Sequence, residues 1–456
     1  MLQNRKRKIR NCMKLACSFL LAFKFLLPQY DSPSNARKSV VGAILCIALS
    51  LVPLIVVLVV SDGMIEGIIA RTVSLSSFDL QVVPYGIKSA GVSDLVKYEE
   101  LANLVSDVDG VKSVCVERQG VALAAGKNGR TGATVRGVSE NVYNENESFR
   151  KYLNIIEGEF DVSTSKDAVI GSKLAKDLNL KVGDTVRIIS SRSNSNGKIV
   201  PRFSTFKVKG ICTSGYQELD ALWIFINVKT AFDIFSTTSS TIVIGLETEN
   251  PFDNNLYKIA DDVNDKLDEA NKFASVYTWQ ELNSSQLENF ATTKMLLLLI
   301  MSLIVLVASI NVSSSVIMFV MERNKEIAIL KSLGASPNGI TFAFLFIALF
   351  IGLCGVIIGL PIGILCAVNV NSIINFFEIV INFVLSLGYN IFASSEGFVP
   401  VSVMNPEYYL ETIPVVLPFN ELCAIVILVL ILSVVVSIIP SIKAGREKPL
   451  SILRKV

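Results

Sequence analysis

The chain of 456 residues contains no histidine, so any chemistry it does must rest on eight cysteines and on its charged side chains. Histidine is the commonest general base, triad partner and metal ligand, and its absence argues against a hydrolase or a metalloenzyme. The cysteines are dispersed, with no C-x-x-C pair. Cys46, Cys354, Cys366 and Cys423 fall in apolar stretches; only Cys115 and Cys212 lie in the long polar region, where they could form a disulfide or stand as free thiols buried in strands. A phosphate-binding loop G-x-x-x-x-G-K-[ST] is missing, because Gly126-Lys127 is followed by Asn128 and lacks the upstream glycine. The expectation is a chain with no catalytic residue, no metal and no cofactor of its own. Its 42 basic and 40 acidic residues are sorted along the chain and leave no nucleic-acid patch.

The charged run with the most informative spacing is MERNKEIAILKSLGASPNGI, from Met321 to Ile340. Helix formers continue from Glu322 to Leu333, Gly334 supplies a C-terminal stop, and Ser336-Pro337 opens a new helix. What positions this segment is a pair of membrane spans. Four apolar stretches, Val40 to Val60, Met295 to Val320, Ile340 to Val368 and Leu422 to Ile439, are each near or above the ~20 residues that cross a bilayer as a helix. None holds an acidic or basic residue, which argues against a proton- or sodium-driven carrier and against a voltage sensor.

Basic residues orient the spans. Arg5, Lys6, Arg7, Lys8, Arg10, Lys14, Lys24, Arg37 and Lys38 face a single acid, Asp31, before the first span. Lys443, Arg446, Lys448, Arg454 and Lys455 face Glu447 after the last. Both termini are therefore expected in the cytoplasm. The organisation predicted is a cytoplasmic N-terminus (1–38) with an interfacial elbow helix at residues 12–27, a first span (39–61), an outer domain (62–293) and a second span (294–321). A cytoplasmic coupling helix (322–339), a third span (340–369), a second outer loop (370–420), a fourth span (421–440) and a tail (441–456) follow. Within the second loop Asn371, Asn375, Glu378, Asn382 and Ser386 make one polar stripe, so Ser372 to Leu387 is expected as an amphipathic helix and not a fifth span.

The outer domain is predicted to be mixed α/β. Strands are expected at Leu80 to Val83, Val111 to Val116, Thr134 to Val138, Thr185 to Ile189, Thr205 to Ile211, Leu222 to Val228 and Thr241 to Leu246, with helices at Lys97 to Val105, Ser172 to Leu178 and Leu256 to Ala270. Asn194 to Lys198, with its Asn-Gly, marks a hairpin tip. Glu281 to Ala291 is expected to run helically into the second span as one rod. In the spans, Gly355, Gly359 and Gly363 form a small-residue face that serves either intrachain packing or a subunit interface, and Asn311 is expected to bond to a neighbouring helix.

The segment from Lys325 to Ser336 resembles the coupling region of the MacB/FtsX/LolC-LolE superfamily of ABC transporter permeases. Lys325, Glu326, Ile327, Ala328, Ile329, Leu330, Lys331, Leu333, Gly334, Ala335 and Ser336 meet its pattern. Pro440, Ala444, Pro449, Leu453 and Arg454 resemble the family's ending. LSSFDLQV (75–82), VIGSKLAKDLNLKVGDTVRI (169–188), FKVKGICTSGYQELD (206–220) and YYLETIPVVLP (408–418) look like blocks of its lipoprotein-releasing branch.

The resemblance implies the MacB-like, type VII architecture: four transmembrane helices and a large mixed α/β extracytoplasmic domain between the first two, in the bacterial inner membrane. It implies a separate LolD-like ATPase dimer, carrying ATP and Mg, that grips Glu322, Arg323, Lys325, Glu326, Ile329, Lys331, Leu333, Gly334, Ala335 and Ser336. A second permease subunit, the same or related, lipoprotein substrates and a periplasmic LolA-like carrier complete the implied partners. Gly197, Lys198, Ile199, Pro201 and Arg202 match the family's carrier-binding hairpin loosely, and Arg187 falls at the position of its basic pad. Whether this chain or its partner binds the carrier stays open. Two other readings fit the layout: a mechanotransmission permease for peptide or toxin export or for control of a cell-wall hydrolase, and a four-span receptor or scaffold without transport. The coupling sequence argues against the scaffold, and the block at 408–418 favours lipoprotein release over export.

Overall fold

The computed structural model describes residues 20, 22, 24, 35–85, 92–193, 199–236, 239–253, 255–392 and 414–446. Most of the expected elbow helix, the block at 408–413, the hairpin tip at 194–198 and the tail beyond Arg446 lie outside the described residues. The chain divides into two units, one built from Met1–Gly63, Thr292–Ile379 and Val415–Val456, the other from Met64–Ala291 and Val380–Pro414.

The first unit is a bundle of helices. Asn35–Thr72, Ser284–Glu322, Pro337–Val368 and Phe419–Arg446 are each long and apolar enough to cross a bilayer, at 38, 39, 32 and 28 residues. At 1.5 Å per residue the first two reach nearly 60 Å, about twice a hydrocarbon core. They therefore carry stems well beyond the apolar windows read from sequence. The apolar windows end where Ser61 and Asp62 begin, but Ile65, Ile68 and Ile69 keep a helical repeat that a hydropathy average does not see. The bundle core is formed by Ile47, Leu51 and Ile55 of the first helix, Val312 and Val316 of the second, Phe344, Ile347 and Ile351 of the third, and Ile425 and Val429 of the fourth. After Asn369 a further helix, Val370–Phe392, covers the segment expected to be amphipathic.

The second unit is built on ten strands among the described residues: β1 (Leu80–Pro84), β2 (Val111–Ala125), β3 (Arg130–Val138), β4 (Asn154–Gly158), β5 (Asp167–Gly171), β6 (Thr185–Ser193), β7 (Ile199–Thr213), β8 (Trp223–Asn227), β9 (Ser240–Thr248) and β10 (Ala274–Thr278). Six of them close on themselves. β2 pairs with β3, β3 with β8, β8 with β5, β5 with β7, β7 with β6, and β6 returns to β2. Closure leaves no free edge within this ring. Its interior is filled by Ala124, Val135, Ile170, Val186, Ile188, Phe206, Val208, Ile224 and Ile226.

Of the remaining strands, β4 pairs with β7 on the ring, and β1, β9 and β10 form a wing in the order β10–β1–β9–β2. Helices Leu95–Ser106 and Asn255–Glu269 pack Leu101, Val105, Ile259 and Val263 against Leu80, Val82, Ile244 and Leu246. β2 belongs to both parts: residues from Val111 to Gly120 pair with β9, and residues from Arg118 to Ala125 pair with β3. β2 pairs with β3, β6 and β9 and β7 with β4, β5 and β6, so both, at 15 residues each, outrun the stretches predicted from alternation. The predicted strand at 222–228 is cut short at Asn227, whose side chain accepts from Lys229 N–H and caps the helix Val228–Ile234. β4, β5 and β10 were not predicted, because five residues show too little alternation to read. Cys115 and Cys212 are separate free thiols, and burial pushes both well above the ordinary thiol range.

Candidate functional site

The coupling segment is a helix of its own. The long second helix ends at Glu322, Arg323 breaks the run, and a short helix occupies Asn324–Ser332. Its end is a Schellman motif: Gly334 N–H donates to Lys331 O at 3.0 Å and Ala335 N–H to Leu330 O at 2.9 Å. Gly334 sits at φ +96°, where a side chain would be strained. Ser336 then caps the third helix by accepting from Gly339 N–H at 3.2 Å, with Pro337 at the first helical position. Two turns with opposed requirements, a positive φ and then a cap, thus set the segment's angle.

Burial sorts the ten residues expected to face an ATPase. Ile327 and Ala328 are fully buried and anchor the helix to the bundle. Glu322, Lys325, Ile329, Leu333, Gly334 and Ser336 are exposed, whereas Arg323, Glu326, Lys331 and Ala335 are half-buried. Arg323 pairs with Glu326 and lies over the Phe319 ring. Of the exposed set, Lys325 and Ile329 lie one turn apart on the short helix, Leu333 follows at its C-cap, and Glu322 ends the helix before it. Leu333 is 80 % exposed, a large apolar side chain offered outward with nothing of its own chain to cover it among the described residues.

The glycine stripe meets the first helix of the same bundle. A Cβ at Gly355 would lie 2.6 Å from the Ile47 side chain, at Gly359 2.8 Å from the Ala48 Cα, and at Gly363 2.7 Å from Ile55. Asn311 is exposed, and no hydrogen bond within the described residues holds it. The polar residue of the second helix that does bond across is Ser315, which donates to Ser39 O at 2.9 Å and accepts from the Ser39 hydroxyl at 3.0 Å. Sequence reading also missed Lys294. Its ammonium lies 2.7 Å from Asp62 and 2.5 Å from Glu421, tying the first, second and fourth helices together at one end. Each of the three charges sits just beside an apolar window, so a span-by-span count passes over all of them.

On the hairpin, β6 and β7 pair in register from Thr185↔Lys207 to Ser193↔Ile199. Arg187 and Pro201 are exposed. Arg202 is occupied within the domain, because its guanidinium lies 2.6 Å from the Asp233 carboxylate. Gly197 and Lys198 lie outside the described residues. Val121, Leu123 and Phe203 are exposed apolar residues on β2 and β7, and Leu123 lies opposite Ile189 and Ile189 opposite Phe203, so an apolar strip borders Arg187.

Within the second unit, the entering stem is held at successive residues. Arg71 Nε donates to Ser214 O at 2.8 Å. After a π-helical turn at Val73–Ser77, Leu75 O accepts from Arg136, whose guanidinium also makes a bidentate pair with Glu117. Both charges of that pair are buried, and Arg136 stacks on Trp223 and Phe225 at 4.7 and 5.3 Å. Phe78 adopts φ +53°, and its ring fills the space a side chain at Gly245 would need. Asp79 accepts from Thr248 N–H and from the Thr248 hydroxyl. Burial nevertheless pushes the Asp79 carboxyl up to about 6, with the neighbouring Glu247 adding to the rise.

Comparison with known proteins accounts for this arrangement. Residues 298–449 match the FtsX-like permease C-terminal family, and residues 40–254 match the MacB-like periplasmic core domain. The chain is 26% identical over 417 residues to the lipoprotein-releasing system transmembrane protein LolC of Neisseria meningitidis, covering 90% of this chain and 92% of the relative. It is 24% identical over 414 residues to LolC of Xylella fastidiosa, covering 91% and 93%. Identity to LolE of Haemophilus influenzae is 24% over 288 residues, covering 62% and 64%. A membrane bundle with an inserted α/β domain and an outward coupling helix is that of an ABC transporter permease, a multi-pass inner-membrane protein that works with a separate ATPase. The chain belongs to the MacB/FtsX-like permease superfamily and is of the LolC/LolE type within it.

Proposed function

We propose that this permease releases lipoproteins from the inner membrane toward a periplasmic carrier, driven by a LolD-like ATPase dimer that binds ATP and Mg. The observation that carries the reading is similarity to lipoprotein-releasing permeases along nine-tenths of the chain, including the inserted domain and the coupling segment together. On this reading both termini and the Asn324–Ser332 helix lie in the cytoplasm and the inserted domain in the periplasm, which the sorting of basic residues to the termini supports. The exposed side chains of Glu322, Lys325, Ile329 and Leu333 dock on the ATPase, and a second permease subunit completes the transporter. The outward apolar face of the second span, with Leu299, Leu303, Val307 and Ile310, is suited to line the path between the two subunits. A LolA-like carrier is received at the Arg187 strip, by charge and apolar contact.

Depletion of the protein followed by membrane fractionation tests the reading. Mature outer-membrane lipoproteins should accumulate in the inner membrane while other envelope functions persist. Normal arrival in the outer membrane would reject it and favour export or control of a cell-wall hydrolase.

A further inference from the structure

The loop from Thr213, the last residue of β7, through the helical turn Gln217–Asp220 belongs to no part of the coupling or carrier surfaces, yet it is held by a set of buried hydrogen bonds. Asp220 is 2 % exposed and acts as a hub: it accepts from the Thr213 hydroxyl at 2.5 Å, from Ser214 N–H at 2.7 Å and from the Ser214 hydroxyl at 2.8 Å. Gly215, at φ +72°, turns the chain so that Ser214 O points to Arg71. Tyr216 is buried against Ile68 of the first stem, and Leu219 of the loop and Phe290 of the second stem pack on the same pair. One loop therefore touches both helices that leave the membrane.

The strands that continue these stems are also neighbours. β1, which follows the first stem, pairs antiparallel with β10, which precedes the second, with Leu80 opposite Thr278. Trp279 N–H donates to Asp79 O at 3.1 Å. Stems, wing and loop are thus joined by packing, backbone pairing and a guanidinium, the kinds of contact that move together.

We infer that the 213–220 loop is the joint that makes both stems and the inserted domain a single moving body, with Arg71, Tyr216 and Asp220 as its positioning residues. Asp220 holds the loop's shape, Ser214 O and Arg71 fix the first stem, and Tyr216 with Leu219 clamps Ile68 to Phe290. A push delivered through the second span then turns the sheet and does not slide one stem along the other. The inference rests on the reading that an ATPase drives the coupling segment, and is independent of what the cargo is.

The test uses the whole permease with its ATPase in proteoliposomes, with spin labels carried by unnatural amino acids at the exposed positions Glu66 and Lys176, both away from the Arg187 strip. In the unaltered joint the distance distribution should be narrow and the same with and without ATP. Arg71→Ala and Tyr216→Ala should keep ATP hydrolysis, lower cargo release by about 2- to 30-fold, and give a distribution that widens or shifts with ATP. Arg71→Lys, which keeps the charge and loses the fork, should fall between. Three results would overturn the joint: release at the unaltered level in both alanine variants, reduced release with a distribution that stays narrow, or a label distance that already shifts with ATP in the unaltered protein. Failure of both variants to assemble assigns the contacts to folding alone and overturns it equally. If lipoproteins are not the cargo, release is nil throughout while the label distances still decide the matter.

Discussion

The first and second spans are nearly equal in length, at 38 and 39 residues, and both strongly apolar, but differ in how they are held. In the first, 44% of the most apolar window is buried, and its middle lies against three glycines of the third span; in the second the share is 22%, and Leu299, Leu303, Val307 and Ile310 face outward. Hydropathy alone cannot separate them, since lipid and a protein neighbour are equally apolar. The difference teaches that the first span is an axis of the bundle. The second, carrying the coupling helix at one end and a stem at the other, is the element with room to move and with a face for a partner.

Substitutions can break that contrast or sharpen it. The largest effect is expected for Gly359→Leu, which drives a side chain into the Ala48 backbone and should cost about 3 kcal/mol or more, seen as loss of monodisperse protein after extraction. An equal substitution on the second span's outward face that proved as costly would erase the distinction. Next comes the pH dependence of the first stem's anchor. Asp79 holds its proton more tightly folded than unfolded, from an ordinary 3.8 to about 6. Its contribution is fully present below pH 3.8 and is lost as pH rises through about 6, a span of ~3 kcal/mol. Thermal melts at about pH 4.5 and 7.5 should therefore differ more in the native protein than in Asp79→Asn, and equal slopes would remove the titration from the anchor.

A smaller loss is expected at the second helix's ion pairs with the first and fourth. Lys294→Ala leaves Asp62 and Glu421 as like charges without their shared cation and should cost about 1–3 kcal/mol by thermal melt. No change there would mean that the second span is freer still. The smallest stability effect, under about 0.5 kcal/mol, is expected for Leu333→Asp, because its side chain touches solvent. The same change should abolish ATPase binding in a pull-down; retained binding would reject the exposed face as the docking surface.

Much of this was legible before any coordinates. The four spans, the helix–glycine–cap sequence of the coupling segment and seven of the ten described strands follow from periodicity and turn chemistry, which act over a few residues. What escaped acts at long range. Lys294 meets partners 232 positions before it and 127 after it (294 − 62 and 421 − 294), and no local pattern marks them. Ser315, rather than Asn311, carries the bond between the first two spans, because which polar residue faces inward depends on how the helix is rotated. Arg202, read as a carrier contact, is held by Asp233 of the short helix after β8.

The sequence by itself determined the class of protein: a membrane bundle, an inserted α/β domain, a coupling helix stopped by Gly334, and a pattern shared along nearly the whole chain with lipoprotein-releasing permeases. Those properties are one-dimensional, set by runs, periods and local caps. Only the tertiary structure decided that the glycine stripe faces the first span, that β2 is shared between a closed ring and an open wing, and that residues 213–220 lie against both stems. These depend on which distant surfaces close on one another, and that choice is made by packing and pairing across the fold.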